Sequence, residues 1–469
     1  MRKRIFLFVA VLSFLSLFMV PPFLSSSIAD PDTPVLTFND FYQKVLRYYP
    51  QLKQQAAHID LAIARKLQAA SGFLPSFQLG TAVSHGDEPV YVFGALLREN
   101  RFTADDMVAG RLNTPGAHTS YNASLTGQVP IFDAMQTISQ VRSAKLQMDS
   151  AQDEKEFAQM EAFLIAAEAY LRTVAIENML ATVNEVSRDS EADIKQAEDL
   201  KEKGLILGAD FYTAKVALGN INQMKNQLGQ EKKVAYILLN ILMGEDLSQP
   251  WTVSNNAQEA LLDIEKERKT LQSWIETAFK SRPDWAAIDK IIQAQEIEVG
   301  REKASVLPRI DAFGEARNDV AHFSYDGGRN FLVGVKAKID LFDPSYFSRV
   351  RMSQATLKKL EADKAILQDS ISRDLANEFA RYQTAQDNLP VIQKMLEDAK
   401  QAVDLTLPLY REGRKSIADL LAIRSAYLNT ARGFYSLKTD TKTSWTRMLF
   451  LSGQLGEADI PEVIKKIGE

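Results

Sequence analysis

One uninterrupted stretch constrains the fold of this chain more than any other feature. From Ile131 to Lys203 the sequence runs for 73 residues without a glycine or a proline, and Pro130 and Gly204 stand at its two ends. A helix of that length would extend for about 110 Å, several times the width of a small globular domain. We therefore expect a long rod rather than an element of a compact core.

The middle of this stretch carries a heptad pattern. Apolar residues recur at alternating steps of three and four, at Phe157, Met160, Leu164, Ala167, Leu171 and Val174. This spacing places an apolar seam on one side of a helix and buries it against a neighbouring helix. The pattern therefore predicts a coiled coil, and the partner helix is expected in the same chain because the sequence contains two similar halves.

The two halves are recognised by landmarks that recur at nearly constant offsets. The landmarks separated by 233 residues are Leu74 with Leu307, Pro75 with Pro308 and Pro50 with Pro283. Those separated by 209 or 210 residues are Phe132 with Phe342, Asp133 with Asp343, Gly204 with Gly413, Asp210 with Asp419, Asn220 with Asn429 and Gly244 with Gly453. We predict a tandem repeat of residues 30–243 and 244–469, with an enlarged loop between Pro75 and Phe132.

The first 29 residues have the features of an export signal. Basic residues at positions 2 to 4 precede an apolar run from Ile5 to Val20, and Ser27-Ile28-Ala29 provides a small-residue cleavage site. The apolar run is shorter than the roughly 20 residues that span a bilayer, which favours cleavage over the alternative of an uncleaved membrane anchor. The chain has no cysteine, so lipid attachment to cysteine, disulfides and thiolate chemistry are excluded.

Composition argues against several classes of function. The formal net charge of −5 comes without a clustered basic face, so nucleic acid is not an expected partner. The four histidines are His58, His85, His118 and His322. Because they are scattered and no nucleophile–base or phosphate-binding motif accompanies them, we predict no enzyme activity, no cofactor and no metal site. After the signal no apolar run is long enough for a transmembrane helix, so any membrane segment must consist of strands.

Four segments switch from helical periodicity to alternation. They cover about 75–84, 119–130, 308–320 and 329–342, and the residues predicted on their apolar face are Phe77, Leu79, Thr81, Val83, Tyr121, Ala123, Leu125, Gly127, Val129, Ile310, Ala312, Gly314, Ala316, Phe331, Val333, Val335, Ala337, Ile339 and Leu341. Strands of about ten residues with this pattern suit a membrane barrel with lipid outside and water inside. A half-buried soluble sheet is the alternative. Four strands cannot close a barrel, but three copies supply twelve.

The remaining segments are predicted as helices and one loop. Helical patterns cover 51–72, 133–243, 284–306 and 344–455, with Asp133 and Asp343 near two helix starts and Pro344 at a first helical position. Pro390 and Pro408 are expected to interrupt or kink the second half. The enlarged loop runs from His85 to His118, and both histidines are predicted to be ordinary loop residues.

Two helix-to-helix turns form a matched pair. The first runs from Gly204 to Asp210 and the second from Gly413 to Asp419. Each places a glycine where one helix ends and an aspartate near the start of the next, where a negative charge favours the helix dipole. From the residues alone these are capped turns.

Taken together, these features resemble the TolC-like outer-membrane efflux channels. The signal, the tandem halves, Leu-Pro before a strand in each half, Val129-Pro130-Ile131-Phe132-Asp133 with its counterpart Ile339-Asp340-Leu341-Phe342-Asp343, and the two turns carry the resemblance over nearly all of the mature chain. It implies an α+β membrane protein in which a trimeric twelve-stranded outer-membrane barrel continues into a helical periplasmic tunnel. A belt around the tunnel would come from Asn39–His58, Gly244–Ala278 and the C-terminal tail.

The resemblance also assigns roles to residues of the two turns. The periplasmic gate falls on Asp210, Tyr410, Lys415 and Asp419, with Ala422 where the family has a second aspartate and Lys415 in place of its arginine. The resemblance implies that bonds between adjacent coiled coils close the gate, and we expect one between Asp210 and Tyr410. Lysine lacks the bidentate fork of arginine, so a looser gate is expected. Docking of a periplasmic adaptor falls on Gly204, Leu205, Gly413 and Ser416.

The implied function is a passive exit duct in a tripartite efflux or type I secretion system. Its partners would be two further copies of the chain, the adaptor, an inner-membrane transporter and outer-membrane lipid. A periplasmic or surface coiled-coil protein without channel activity is the alternative, although it leaves the four alternating strands without a role. The sequence does not distinguish drugs, metals and proteins as substrates.

Overall fold

The computed structural model describes residues 34–254, 270–322 and 327–456. The predicted signal peptide, part of the predicted belt segment Gly244–Ala278 and the tail beyond residue 456 lie outside these ranges. The strands are β1 (Val35–Leu36), β2 (Ser76–Gly86), β3 (His118–Phe132), β4 (Thr252–Val253), β5 (Arg309–Val320) and β6 (Gly328–Lys338). The helices are α1 (Phe38–Tyr48), α2 (Pro50–Ser71), α3 (Pro89–Arg98), α4 (Ala109–Asn113), α5 (Gln136–Glu202), α6 (Gly208–Met243), α7 (Leu271–Ser281), α8 (Pro283–Ala304), α9 (Tyr346–Arg411) and α10 (Ile417–Leu451).

The four long strands form one antiparallel sheet in the order β2-β3-β5-β6. Each half of the chain therefore supplies one hairpin, and β3 pairs with β5 across the repeat. The register shifts between Pro130 and Phe132, as expected where a proline cannot donate a ladder hydrogen bond. The predicted four strands per chain are confirmed, and β2 and β6 are left as edges.

Long helices make up most of the remaining fold. Helix α5 packs against α2, α6, α8 and α10, and α9 packs against α8 and α10. Along the predicted seam of α5, Met160, Ala167 and Leu171 are buried. The predicted fold class, long packed helices joined to a small sheet, is confirmed. No helix in the described ranges has both the length and the apolar character that crossing a membrane requires.

The prediction that Pro390 and Pro408 interrupt the helical pattern of the second half is wrong, whereas the predicted kink at these prolines stays a prediction. Helix α9 runs for 66 residues through both Pro390 and Pro408. A proline removes one backbone donor and crowds the preceding turn, but tertiary packing can outweigh such a local preference. Helix α9 packs against α8 and α10, and it ends only at Arg411.

The helix expected to begin at Pro344, with Asp343 as its cap, begins two residues later at Tyr346. Asp343 Oδ1 accepts hydrogen bonds from the backbone N–H and the hydroxyl of Ser345, at 2.8 and 2.6 Å, and Ser345 is the residue before α9. The hydrogen bond from the Ser345 hydroxyl, followed by those from Arg349 and from the Ser345 backbone N–H, lowers the pKa of Asp343 to about 2. In the first half, Asp133 Oδ2 accepts from the backbone N–H of Thr137 at 2.7 Å. Neither aspartate is itself the capping residue of its helix.

Two clusters of buried side chains divide the helical part. The first surrounds the middle of α5, where the ring of Phe38 stacks on Tyr42 and packs edge-on against Phe163 and Tyr170, and Tyr42 packs edge-on against Phe163. Helix α1, helix α7 and the short parallel pair β1–β4 contribute to it, so these segments pack against the long helices, and the belt stays a prediction. The second cluster lies near the two helix-to-helix turns.

The enlarged loop contains more structure than the sequence indicated. Between β2 and β3 lie α3, a 3-10 turn at Ala104–Met107 and α4. The two histidines at its base do not meet: His85 contacts the hydroxyl of Thr119 at 2.8 Å, whereas His118 contacts the carboxylate of Glu99. The prediction that both histidines are ordinary loop residues is wrong, because His85 lies in β2 and His118 begins β3.

Candidate gate and membrane-facing surfaces

The first helix-to-helix turn ends α5 with a left-handed glycine. Gly204 has φ of 71°, and the backbone N–H groups of Gly204 and Leu205 donate to the carbonyls of Lys201 and Leu200, both at 2.9 Å. A glycine suits this position because other residues are strained at positive φ. The turn leaves Leu205 67 % exposed, an apolar side chain presented at the end of the coiled coil.

The second turn also contains a left-handed glycine, but the helix that follows it is capped differently. Gly413 has φ of 72°. The hydroxyl of Ser416 accepts from the backbone N–H of Asp419 at 3.1 Å, and Asp419 Oδ2 accepts from the backbone N–H of Ser416 at 3.2 Å. This is a capping box, and the backbone N–H and hydroxyl of Ser416 lower the pKa of Asp419.

The two aspartates therefore differ despite their matched positions. Asp419 is held by the capping box, whereas α6 begins after Leu207 without a side-chain cap, and Asp210 lies half-buried in its first turn. The carboxylate of Asp210 is thus available to a further partner. Lys415 is exposed on the neighbouring turn.

Tyr410 lies inside the second cluster rather than on the surface. The residue is only 7 % exposed, and its hydroxyl has no hydrogen-bond partner within the described part of the chain. Burial, followed by the charge of Asp193, raises the pKa of this hydroxyl. The expected bond between Asp210 and Tyr410 is therefore not formed within one copy of the chain, and it stays a prediction for the assembled protein.

A buried ion pair lies next to Tyr410, and the sequence did not predict it. Arg424 Nη1 lies 2.7 Å from Asp193 Oδ2 and 3.1 Å from the hydroxyl of Ser190. The two charged residues come from α10 and α5, in different halves of the repeat, and both are buried. Their sequence separation leaves no local signal, so only the packing of the two helices reveals the pair.

The sheet has one continuous apolar face. The register pairs Phe77 with Gly127, Leu79 with Leu125, Val83 with Tyr121, Leu125 with Ala316, Ala312 with Val335, Gly314 with Val333 and Ala316 with Phe331. All of these residues were predicted on the same side, and alternate residues of paired strands share a face. Several of the large side chains stand in the open, with Phe331 82 % exposed.

The opposite face of the sheet is polar and internally bonded. Arg317 donates to both carboxylate oxygens of Asp319, at 2.8 and 3.0 Å, and Asn122 donates to Asp319 at 3.1 Å. Lys336 donates to Gln128 at 2.9 Å. A sheet with one bonded polar face and one bare apolar face fits a wall between water and lipid. Across the described ranges, no group of three or more potential ligands is placed to hold a metal ion.

Comparisons with known proteins agree with this geometry. The family described as outer membrane efflux protein matches residues 41–245 and 274–454. The proteases secretion protein PrtF of Dickeya chrysanthemi is 20 % identical over 447 residues, which cover 90 % of this chain and 89 % of that protein.

Solved structures share the fold at low sequence identity. A membrane protein from Pseudomonas aeruginosa superposes with a TM-score of 0.75 at 16 % identity, over 93 % of this chain and 97 % of that one. The outer membrane channel CmeC of Campylobacter jejuni gives 0.70 at 17 % identity, over 92 % and 89 %. The resemblance inferred from sequence is thereby confirmed, and the shared fold is that of channels rather than of enzymes. Because the family match extends over most of its length, the chain belongs to the outer membrane efflux protein family.

Proposed function

We propose that three copies of this chain form a passive duct in the outer membrane, and that the duct carries substrates delivered by an inner-membrane pump. The observation that carries the proposal is the apolar face of the sheet together with its two open edges, β2 and β6. An open strand edge in lipid leaves backbone groups without partners, at a cost of several kcal/mol each. Pairing β6 of one copy with β2 of the next removes every edge after three copies, giving twelve strands.

The helices would extend the duct away from the membrane. Helix α5 alone, at 67 residues, spans about 100 Å, and the two turns lie at its far end from the sheet. A duct built this way runs from the outer membrane into the periplasm. The apolar side chains of Leu205 and Leu207 are exposed at the first turn. We expect a partner protein to cover them.

We assign that partner to a periplasmic adaptor protein and the gate to the same turns. Gly204, Leu205, Gly413 and Ser416 form the proposed docking surface, since they lie at the tips of the two helical hairpins. Asp210, Tyr410, Lys415 and Asp419 form the proposed gate. Asp210 and the exposed Lys415 supply charges that copies related by threefold symmetry can pair across the opening.

The substrate class we propose is a secreted polypeptide. The support is the name of PrtF, a proteases secretion protein that aligns over 90 % of this chain. A polypeptide exporter needs an energy source, and the duct supplies none, so an inner-membrane transporter must drive transport. Efflux of small molecules through the same architecture is the competing outcome.

Two measurements test the proposal. The detergent-extracted protein should have the mass of a trimer and should sediment with outer membranes, whereas a stable water-soluble monomer would contradict the duct. Expressed in place of the native outer component of a type I protease secretion system, the chain should restore protease in the medium. Restored drug resistance in an efflux-deficient strain without protease export would assign the duct to small-molecule efflux instead.

A further inference from the structure

The helix of the enlarged loop lies on the polar face of the sheet. The hydroxyl of Tyr91 donates to the carbonyl of Ser84 on β2, at 2.8 Å. At the other end of the helix, the side-chain amide of Asn330 on β6 donates to the carbonyl of Arg98 at 2.9 Å. Arg98 Nε also lies 3.9 Å from Asp319 on β5. Because Ser84, Asn330 and Asp319 alternate with the apolar-face residues, α3 crosses the sheet on its polar side.

Buried side chains hold α3 against the polar face of the sheet. Val92, Ala95 and Glu99 lie on one side of the helix at the three- and four-residue spacing, and all three are buried. The carboxylate of Glu99 is 0 % exposed and accepts from Nε2 of His118 at 3.0 and 3.1 Å. A buried carboxylate is strongly unfavourable unless it is paired, so the Glu99–His118 contact ties the end of α3 to the start of β3.

A glycine on β6 permits this close approach. A Cβ atom added to Gly328 would lie only 1.6 Å from the carbonyl oxygen of Arg98. Any other residue at this position would force the end of α3 away from the strand. The position therefore couples the sheet to the loop through backbone contact as well as through charge.

Simple dimensions show what this placement does in a closed barrel. Twelve strands about 4.8 Å apart and tilted by about 40° form a ring roughly 24 Å across. A helix with its side chains is about 10 to 12 Å wide. Three copies of α3 on the inner face would therefore occupy most of the mouth.

We propose that residues 87–117, the outer-mouth loop, form a constriction inside the outer end of the duct, held shut by the Glu99–His118 pair and by the seat of Arg98 against Gly328 and Asn330. This inference rests on the proposed function, because it takes the polar face as the lumen. The constriction is separate from the helical turns, which lie at the opposite end of the molecule. Transported cargo must displace the loop to leave the cell.

The chain contains no cysteine, so a single introduced thiol can report passage through the mouth. Lys336→Cys places it on the polar face of β6, eight residues below Gly328, which is about 26 Å along a strand. Intact cells would be treated from outside with a maleimide attached to a polymer too large to cross the outer membrane otherwise. The rate of labelling then measures how often the outer-mouth loop is open.

In this background Glu99→Ala and His118→Ala should each raise the labelling rate by about tenfold or more, since each removes the hydrogen bond between His118 and the buried Glu99. The matched control is His85→Ala, at the same hairpin end but on the apolar face, and it should label at the starting rate. Gly328→Ala should accelerate labelling by a route that leaves every charge in place. Deletion of residues 89–116 gives the upper limit.

The outcomes distinguish a failure of the proposed constriction from a failure of the proposed function. If the deletion labels fast while Glu99→Ala, His118→Ala and Gly328→Ala all label at the starting rate in folded, surface-exposed protein, the roles proposed for the Glu99–His118 pair and for Gly328 are wrong. If the starting protein is already labelled and the deletion labels no faster, the loop is not a constriction. If Lys336→Cys stays unlabelled even after the deletion, although it reacts in denatured protein, the polar face is not a lumen open to the outside, and the proposed function fails.

Discussion

Arg424 of α10 and Asp193 of α5 form a buried ion pair, with 2.7 Å between Nη1 and Oδ2. The pair joins the two halves of the tandem repeat close to Tyr410, which belongs to the second buried cluster. Its charges are close enough to Tyr410 to affect the pKa of that hydroxyl in opposite directions. A change at this pair should therefore alter both the packing of the two helices and the surroundings of Tyr410, a residue of the proposed gate.

Breaking the pair from one side should be costly. Arg424→Met leaves the carboxylate of Asp193 buried without its partner, and losses of this kind amount to about 3 to 5 kcal/mol. The double variant Arg424→Met with Asp193→Leu should recover much of that stability, because no buried charge remains. Thermal unfolding of the detergent-solubilised protein measures both. Arg414→Met, on the exposed turn, is the matched control and should change little; equal losses at both arginines would contradict the argument.

The capping box of the second turn should give a pH-dependent contribution. Ser416→Ala removes the acceptor for the backbone N–H of Asp419 and should destabilise the start of α10 by about 1 kcal/mol. The pKa of Asp419 is lowered from 3.8, so its contribution is present above that pH and is lost as the pH falls through the lowered folded-state value. The stability difference between the native protein and Asp419→Asn should therefore shrink on acidification below pH 3.8. A stability difference that stays the same at every pH would contradict this prediction.

The features predicted correctly from sequence depend on local patterns. Alternation identified the four strands and the face on which Leu125 and Val333 lie, because side-chain direction in a strand has a period of two. The glycines at 204 and 413 marked the ends of α5 and α9, because positive φ favours glycine. Resemblance then placed the candidate gate at these turns.

The features missed depend on contacts between distant segments. Asp193 and Arg424 are brought together only by helix packing, and Glu99 is buried only because α3 seats on the sheet. Pro390 and Pro408 remain inside α9 for the same reason: packing against α8 and α10 outweighs a local preference. The sequence of a single helix does not show which distant residues it will contact.

The lipid-facing assignment predicts opposite results for adjacent residues of β6. Val333→Lys places a charge on the apolar face near its middle and should destabilise the membrane-inserted protein by about 2 to 4 kcal/mol. Leu332→Lys makes the same change one residue earlier, on the polar face, and should leave assembly intact while altering ion selectivity. Yield of the heat-modifiable trimer in outer membranes measures the first effect, and planar-bilayer recordings measure the second. Equal tolerance at the two positions would mean that the faces are assigned wrongly.

The lowered pKa of Lys442, on α10, predicts that the free energy of unfolding rises with pH. Burial, followed by the charge of Lys438, lowers the pKa of Lys442 from 10.5 to about 7. Between these values the unfolded chain binds more protons than the folded chain, so this group makes folding more favourable as the pH rises from 7 towards 10. Lys442→Met should therefore stabilise the protein most at pH 7 and below, by at most a few kcal/mol, and the gain should fall at pH 9. Lys359→Met, an exposed lysine of α9, is the control, and a gain at Lys442 that is independent of pH would contradict the prediction.

The gate hypothesis makes the most direct prediction about transport. In one copy of the chain the hydroxyl of Tyr410 is buried without a hydrogen-bond partner, and the carboxylate of Asp210 caps no helix. A buried polar group left unpaired is unfavourable, so assembly into the closed trimer should bring these two groups together by repacking the turns. A hydrogen bond to a charged acceptor contributes about 1.5 to 3 kcal/mol, and three symmetric bonds would bias the gate by several kcal/mol.

Tyr410→Phe keeps the aromatic ring and removes only the donor, so it should raise single-channel conductance in planar bilayers. Asp210→Ala should do the same, and the double variant should add little because both changes break one bond. Tyr212→Phe, on an exposed tyrosine two residues from Asp210, is the matched control and should leave conductance unchanged. If both single variants conduct like the native protein while remaining trimeric and inserted, Tyr410 is a packing residue of the coiled coil, and closure must depend on Lys415 and the other charges of the turns.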